Sequence, residues 1–228
     1  MLSRMTLDEK FRQINMVDIR IFIDDEGNFS EELADSFFNG MGIGVVQDPR
    51  FEPEVNAKIV NQLQKYLKTK TRLGIPAIVV CESLHGFMSP KATIFPQAIG
   101  LASTWNTEML KEIASAIAKE CRVNGINQTL APDLDLAREP RWGRVEETFG
   151  EDPYLCSSMG VAYIKGVQGE NEFIDNDHII STVKHYAAHG SPEGGINLSP
   201  VYAGERQLRE LYLKPFEAAV KDAGALSV

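Results

Sequence analysis

Residues 126–154, INQTLAPDLDLAREPRWGRVEETFGEDPY, decide the architecture. They begin with a short strand near Ile126 to Leu130 and cross a charged loop punctuated by Pro132, Pro140 and Gly143. They end on Asp152 and Pro153, an N-cap followed by the proline favoured at the first helical position. This is one strand–loop–helix unit, with its chemistry gathered after the strand.

The unit recurs on either side. Toward the C-terminus, the helix opened by Asp152 is followed by a strand near Ile179 to Lys184. A helix from Glu205 to Ala223 then leads through Gly224 into Ala225 to Val228. Toward the N-terminus, a helix from Thr107 to Asn124 ends at Gly125. A strand at Ala77 to Cys81 follows a helix from Glu54 to Leu73, which stops at Gly74 with Pro76 just beyond. Earlier still, Ser30 caps a helix to about Asn39, and Ile43 to Val46 reads as a strand. Thr6 and Glu9 form a capping box for a helix running toward Met16, whose Leu7, Phe11 and Ile14 share a face that needs cover. Near-continuously apolar strands separated by crossover-length helices predict an α/β chain with a parallel sheet. No segment reads as a linker or short repeat, so one domain over residues 1–228 is expected.

Composition narrows the partners. With 43% hydrophobic and 24% charged residues the chain is not a disordered one, and acidic residues outnumber basic ones by 32 to 23. The net charge of −9 and the lack of a Lys/Arg run argue against nucleic acid. Cys81, Cys121 and Cys156 are too few and too far apart for a disulfide framework and read as buried thiols. No apolar stretch is long enough to span a bilayer, and residues 1–16 lack a signal peptide's apolar centre, so no membrane partner and a cytoplasmic location are the expectations.

In parallel α/β folds, sites lie at the carboxyl ends of strands. Here the strand exits carry Glu82, Ser83, Leu84 and His85; then Asp133, Asp135 and the arginine-rich loop; then Lys184, His185 and His189. The entering turns, Gly74-Ile75-Pro76, Asn124-Gly125 and Asn176-Asp177-His178, carry little chemistry. Arg138, Arg141, Arg144, Asp133, Asp135, Glu146, Glu147 and Trp142 together supply charged hydrogen-bonding groups and an aromatic face, which suits a sugar. Structural readings stand beside these. Glu82 equally fits a cap or an ion-pair partner, Trp142 equally fits packing beneath its loop, and at least one of the three arginines is expected only to brace the loop. His178 reads as solvated. His185 and His189 are spaced like a helical zinc pair, but Gly190, Pro192, Gly194 and Gly195 forbid a stable helix there and Tyr186 stands where a zincin has glutamate, so no metal is expected. No nucleophile elbow, Walker loop or dinucleotide fingerprint is found, and no cofactor is expected.

Six blocks in order, MTLDEK (5–10), CESLHGF (81–87), ATIFPQAIGLASTWN (92–106), APDLDLAREPRWGRVEETFGEDPY (131–154), STVKHYAAHGSPEGG (181–195) and residues 205–228, closely resemble the N-terminal domain of glycoside hydrolase family 3, the β-glucosidase and β-xylosidase type. The resemblance implies a (β/α)8 TIM-like barrel of which the first four to five units are present. It implies that the barrel mouth holds the non-reducing terminal sugar of a small oligosaccharide or aryl glycoside. Carried over by motif, Glu82 grips the sugar's far hydroxyls, and Arg144, Lys184 and His185 supply the remaining polar grip. His85, Asp135, Trp142 and His189 are secondary candidates. Lys184 and His185 cannot both reach one sugar from a regular strand, because neighbours there point to opposite faces, so irregular or cis backbone is expected at their peptide.

The family hydrolyses with retention through a carboxylate nucleophile and a separate acid/base. The resemblance places the nucleophilic aspartate, and in most members the acid/base, beyond Val228. The expectation is therefore a sugar-gripping fragment that is inactive alone, completed by a missing C-terminal portion or prone to self-association through an open sheet edge. A non-catalytic carbohydrate-binding module and one half of a split glycosidase are the alternatives. Glu82 in ESLHG leans slightly toward the xylosidase branch.

Overall fold

The computed structural model describes residues 1–171 and 174–228. The elements in chain order are α1 (Leu7–Gln13), β1 (Met16–Asp18), α2 (Glu31–Phe38), β2 (Val45–Gln47), α3 (Pro53–Lys70), β3 (Ile78–Cys81), α4 (Ala98–Ala102), α5 (Thr107–Val123), β4 (Gln128–Thr129), α6 (Pro153–Gln168), β5 (Ile180–Ser181), α7 (Glu205–Gln207) and α8 (Lys214–Lys221). The five strands form a sheet in chain order. β1 pairs in parallel with β2, Met16 opposite Val45, and β2 with β3, Val45 opposite Ile78. The expected α/β class with a parallel sheet is what the chain adopts.

The caps read from the sequence are in place. Thr6 Oγ1 accepts from the Glu9 amide while Glu9 Oε2 accepts from the Thr6 amide, Ser30 Oγ accepts from Leu33, and Asp152 Oδ1 accepts from Leu155. Each satisfies an N-terminal amide that its helix leaves unpaired.

Several elements differ from expectation, among them the short helix α4, which the sequence reading did not include. The first helix stops at Gln13, and Met16–Asp18 is a strand that the sequence did not reveal, because three residues show no period. Leu7, Phe11 and Ile14, for which cover was expected, are exposed. The helix expected from Glu205 to Ala223 is interrupted by a π-helical turn at Leu208–Tyr212, where the Leu213 amide donates to the Leu208 carbonyl. Pro215 accounts for the change: it has no amide to give Leu211, and its ring crowds that carbonyl.

Contacts divide the chain into two compact units. The first comprises residues 1–81, 88–92 and 123–128, and its interior is mainly apolar, with the buried Asn56 amide bonded to Phe51 and Asn124. Phe22 stacks on Phe38 at 4.8 Å between ring centroids, Phe37 meets both edge-on, and Phe38 lies 5.6 Å from Tyr66. Ile59, Leu63, Val46 and Val79 complete this core. Gly125, at φ +87°, makes the turn into β4, where the Asn127 amide reaches the Val79 carbonyl.

The second unit comprises residues 82–87, 93–122 and 129–228. Its apolar core runs through Leu110, Ile117, Leu134, Met159, Ile164 and Val183. Thr129 accepts from the Thr182 amide, and the Val183 amide continues the pairing to the Ser227 carbonyl, so residues 225–228 begin to align beside the β5 exit. Among the described residues no helix is long and apolar enough to cross a membrane.

Candidate sugar-binding site

The site lies within the second unit, on the segments that leave β3, β4 and β5. Glu82 follows β3 directly, and its loop is fixed from below. The Ser83 hydroxyl is 2.6 Å from that of Thr129, and the Tyr163 hydroxyl donates to the Ser83 carbonyl at 2.6 Å. After β4, the Ala131–Pro132 peptide is cis, and Asp133 then bridges in parallel to Lys184. The Leu134 amide donates to the Lys184 carbonyl, and the Lys184 amide to Pro132. The two strand exits are thus held side by side.

The Lys184–His185 peptide is cis, and both side chains enter one cluster, as the sequence argument required. Lys184 Nζ donates to both Glu82 oxygens at 2.9 and 2.8 Å. His185 donates its backbone amide to Asp135 Oδ2, and its Nδ1 lies 2.8 Å from the same oxygen. On the other side of the ring, Nε2 lies 3.2 Å from Arg144 Nη2. Arginine only donates, so Nε2 carries the lone pair and Nδ1 the hydrogen. Arg144 is the hub. Its Nε and Nη2 clasp Glu147 at 2.7 and 2.8 Å, and Nη1 lies 3.3 Å from His189 Nε2.

Glu82, Arg144, Lys184 and His185 are therefore brought together, with Asp135 and His189 beside them. Trp142 is not presented to a ligand. It is 2% exposed, its indole N–H donates to Asn197, and its ring meets His189 edge-on, so it packs beneath its loop. His85 points elsewhere in the strand exit, with Nδ1 3.0 Å from the Phe95 carbonyl. Arg141 is the bracing arginine, in an exposed pair with Glu139. His178, read as solvated, is part-buried with Nδ1 2.6 Å from Asp175. Gly190 is required by close approach: a Cβ there would collide with the Leu136 carbonyl and crowd Asp135.

The sequence reading counted Glu147 and Asp133 among the loop's polar groups but gave neither an individual role in the site. Both carry signals. Glu147 stands three after Arg144, the spacing of neighbours on a helical turn, and Asp133 shares strand parity with Asp135.

The electrostatics grade from open to enclosed. Glu82 and His185 keep about a third of their side chains exposed, 35% and 33%, whereas Asp133 and Asp135 keep none. Burial works to raise Glu147, but the Arg144 hydrogen bonds outweigh it and hold the carboxyl below its ordinary range. Burial likewise works to raise Asp135, and the bonds from His185 pull it down. Burial lowers His189, against the Asp135 charge. Donor atoms of Asp133, Asp135 and His185 fall within 4.8 Å of one another, close enough for a metal, yet the ring nitrogen is already engaged with Asp135.

Such a cluster, with donors and acceptors of both signs and its upper groups open, has the chemistry to form charge-assisted hydrogen bonds with a neutral hydroxylated molecule. The parallel α/β frame, with its polar groups gathered at the strand exits, defines a domain of TIM-barrel type. Residues 6–228 match the glycosyl hydrolase family 3 N-terminal domain, and the chain belongs to that family. It is 48% identical over 164 residues to a β-xylosidase of Formosa agariphila, across 69% of this chain and 23% of that protein. It is 32% identical to a periplasmic β-glucosidase of Salmonella typhimurium, across 100% of this chain and 28% of that protein. Among solved structures, a β-glucosidase from Erythrobacter marinus superposes with a TM-score of 0.91 at 35% identity, over 99% of this chain and 30% of that one. A mutant β-glucosidase from Listeria innocua in complex with laminaribiose superposes with a TM-score of 0.83 at 33% identity, over 100% of this chain and 31% of that one. The chain spans less than a third of the length of these relatives.

Proposed function

We propose that this chain forms the sugar-gripping part of a retaining exo-β-glycosidase, holding the non-reducing terminal residue of a β-glucoside or β-xyloside. The observation that carries the reading is the convergence of the Glu82–Lys184 pair with Arg144 and His185 at neighbouring strand exits. Glu82 can accept from two adjacent hydroxyls, while Lys184 and Arg144 donate to sugar oxygens and His185 Nε2 can accept from another hydroxyl.

The cluster is suited to binding rather than to bond breaking. Retaining hydrolysis needs two carboxyl groups about 5 Å apart, one free to attack and one poised to exchange a proton. The carboxylates here are otherwise engaged: Glu82 with Lys184, Glu147 with Arg144, Asp135 with His185, while Asp133 is fully enclosed. In this reading the nucleophile and acid/base come from outside residues 1–228. Relatives that bear β-glucosidase and β-xylosidase names support the substrate class.

Two measurements test it. Calorimetry should show glucose or xylose binding to the chain, abolished by Glu82→Ala. Aryl β-glucosides and β-xylosides should not be turned over above a Glu82→Ala control. Absence of sugar binding by the folded chain overturns the grip, and turnover overturns the division of labour.

A further inference from the structure

Beneath the open groups lies a polar arrangement that the sugar grip does not explain. Asp133 Oδ2 and Asp135 Oδ1 are buried with no hydrogen-bond partner among the described residues. The neighbouring donors are committed elsewhere. The Asp135 amide donates to Asp133 Oδ1, and the His185 amide and Nδ1–H both serve Asp135 Oδ2. Lys184 is engaged with Glu82, and Arg144 with Glu147, His185 and His189. His185 Nδ1 is 3.8 Å from Asp133 Oδ2, too far for a hydrogen bond.

Two buried carboxylates cannot satisfy each other, since neither has a hydrogen to give, and placing both charges side by side out of water is strongly unfavourable. One added proton removes both difficulties. We propose that Asp133 and Asp135 share a single proton, donated from Asp133 Oδ2 to Asp135 Oδ1, and that this acid–carboxylate pair fixes the His185 ring. Asp133 is then a positioning residue: it acts through Asp135, which anchors His185 by two bonds and leaves Nε2 facing Arg144 and the open side.

The surroundings agree. Burial, with the charge of Asp135 and the more distant Glu147 adding to it, drives Asp133 well above its ordinary range, and the two carboxyls are hydrogen-bond neighbours. The groups facing the pair are His185, Arg144, Glu147 and Cys156, with Lys184 and His189 beyond. Cys156 is a fully buried thiol pushed far up by desolvation, and its Sγ lies 3.5 Å from the Leu134 carbonyl, so it does not contribute a charge. A divalent cation is the rival occupant of the pair, and it would require the His185 ring to leave Asp135.

The decisive probe is carbon-13 NMR of labelled aspartate carboxyls in the chain, titrated between about pH 4 and pH 9. One aspartate should keep the protonated signal through neutrality, and Asp133→Asn should remove it. Ionisation of all aspartates by neutral pH overturns the proposal, as does movement of that signal on adding EDTA, magnesium or calcium. The consequence for sugar rests on the proposed function. Asp133→Asn, whose amide supplies the same donor, should retain xylose or glucose affinity and flatten its pH profile on the alkaline side, while Asp133→Leu should weaken it roughly tenfold. Equal loss in both variants overturns the positioning role. Should Asp133→Leu fail to fold, the spectrum and pH profile of Asp133→Asn decide. Should the protonated signal be present while no sugar binds, the sugar-binding reading fails and the shared proton stands.

Discussion

The two compact units solve opposite problems. In the first, the rings of Phe22, Phe37, Phe38 and Tyr66 dominate the interior, and its few buried polar side chains, Glu9, Asn56 and Asn124, lie apart from that cluster of rings. In the second, an apolar core of similar kind underlies a second interior of Asp133, Asp135, Ser83, Thr129 and Ser181, each carrying polar atoms out of water. The first arrangement is held by non-directional burial and tolerates approximate shapes. The second depends on each donor meeting its acceptor, because a missing partner costs more than a made bond returns. Stability should therefore respond most to substitutions in the first, and ligand affinity to substitutions in the second.

The largest expected effect tests the first half of that contrast. Phe38→Ala removes a ring fully enclosed between Phe22 and Tyr66 and should cost about 3 to 5 kcal/mol of unfolding free energy, measured by denaturant titration. Sugar affinity, measured where the variant remains folded, should not change. Glu82→Ala should reverse the pattern. It should lose about 2 to 3 kcal/mol of sugar affinity, roughly 30- to 150-fold, since a charged hydrogen-bonding group is removed. Its stability should fall by less than that of Phe38→Ala, about 1 to 2 kcal/mol, because Glu82 is partly open to solvent but the nearly buried Lys184 ammonium loses its acceptor. A Phe38 variant that lost affinity without unfolding would break the comparison.

Much of this was legible in the sequence. Thr6 with Glu9, Ser30, and Asp152 with Pro153 announce helix starts through local chemistry, and local chemistry is what a single sequence displays. The rule that parallel strands deliver their exits to one face pointed to the segments that carry Glu82, the arginine-rich loop, Lys184 and His185, and the family resemblance selected Glu82, Arg144, Lys184 and His185 among them. What was hidden depends on partners distant in the chain. Asp133 and Asp135 read as polar groups of a sugar-facing loop, and their enclosure depends on residues 184–190, some fifty positions on. Trp142 reads equally as platform or packing until Asn197 is found on its indole N–H. β1 is too short to show a period, and the π-helical turn before Pro215 keeps a helical pattern that hides the slipped register.

A pH series sharpens the contrast further, because the carboxyls of the second unit pull in opposite directions. Glu147 lies below its unfolded value when folded, so its contribution is present above about pH 4.3 and is lost as pH falls through its folded value. Asp133 lies well above its unfolded value. Above about pH 3.9 the unfolded chain releases that proton while the folded chain keeps it, so stability falls with rising pH until the folded value is passed. The slope from this one group reaches about 1.4 kcal/mol per pH unit. Asp133→Asn should remove it, leaving the acid-side loss from Glu147 intact. Unfolding titrations of both proteins from about pH 2 to pH 7 check this, and identical slopes above about pH 4 would show that Asp133 does not hold its proton.

The smallest expected effect returns to the first unit and asks how far its stability is a property of the core. α1 has seven residues, and Leu7, Phe11 and Ile14 are exposed, so apolar burial does little to hold it. Its fixings are directional: the capping box between Thr6 and Glu9, and the Arg72 Nε bond to Glu9 Oε1 at 2.7 Å. Thr6→Ala removes the Oγ1 acceptor and should cost about 1 kcal/mol, and because α1 can open without the aromatic core, that cost should appear locally. Amide hydrogen exchange within Leu7–Gln13 should quicken roughly fivefold while the denaturation midpoint stays nearly fixed. A matching shift in global unfolding would mean that α1 belongs to the cooperative core, and that the ring cluster does not hold this unit by itself.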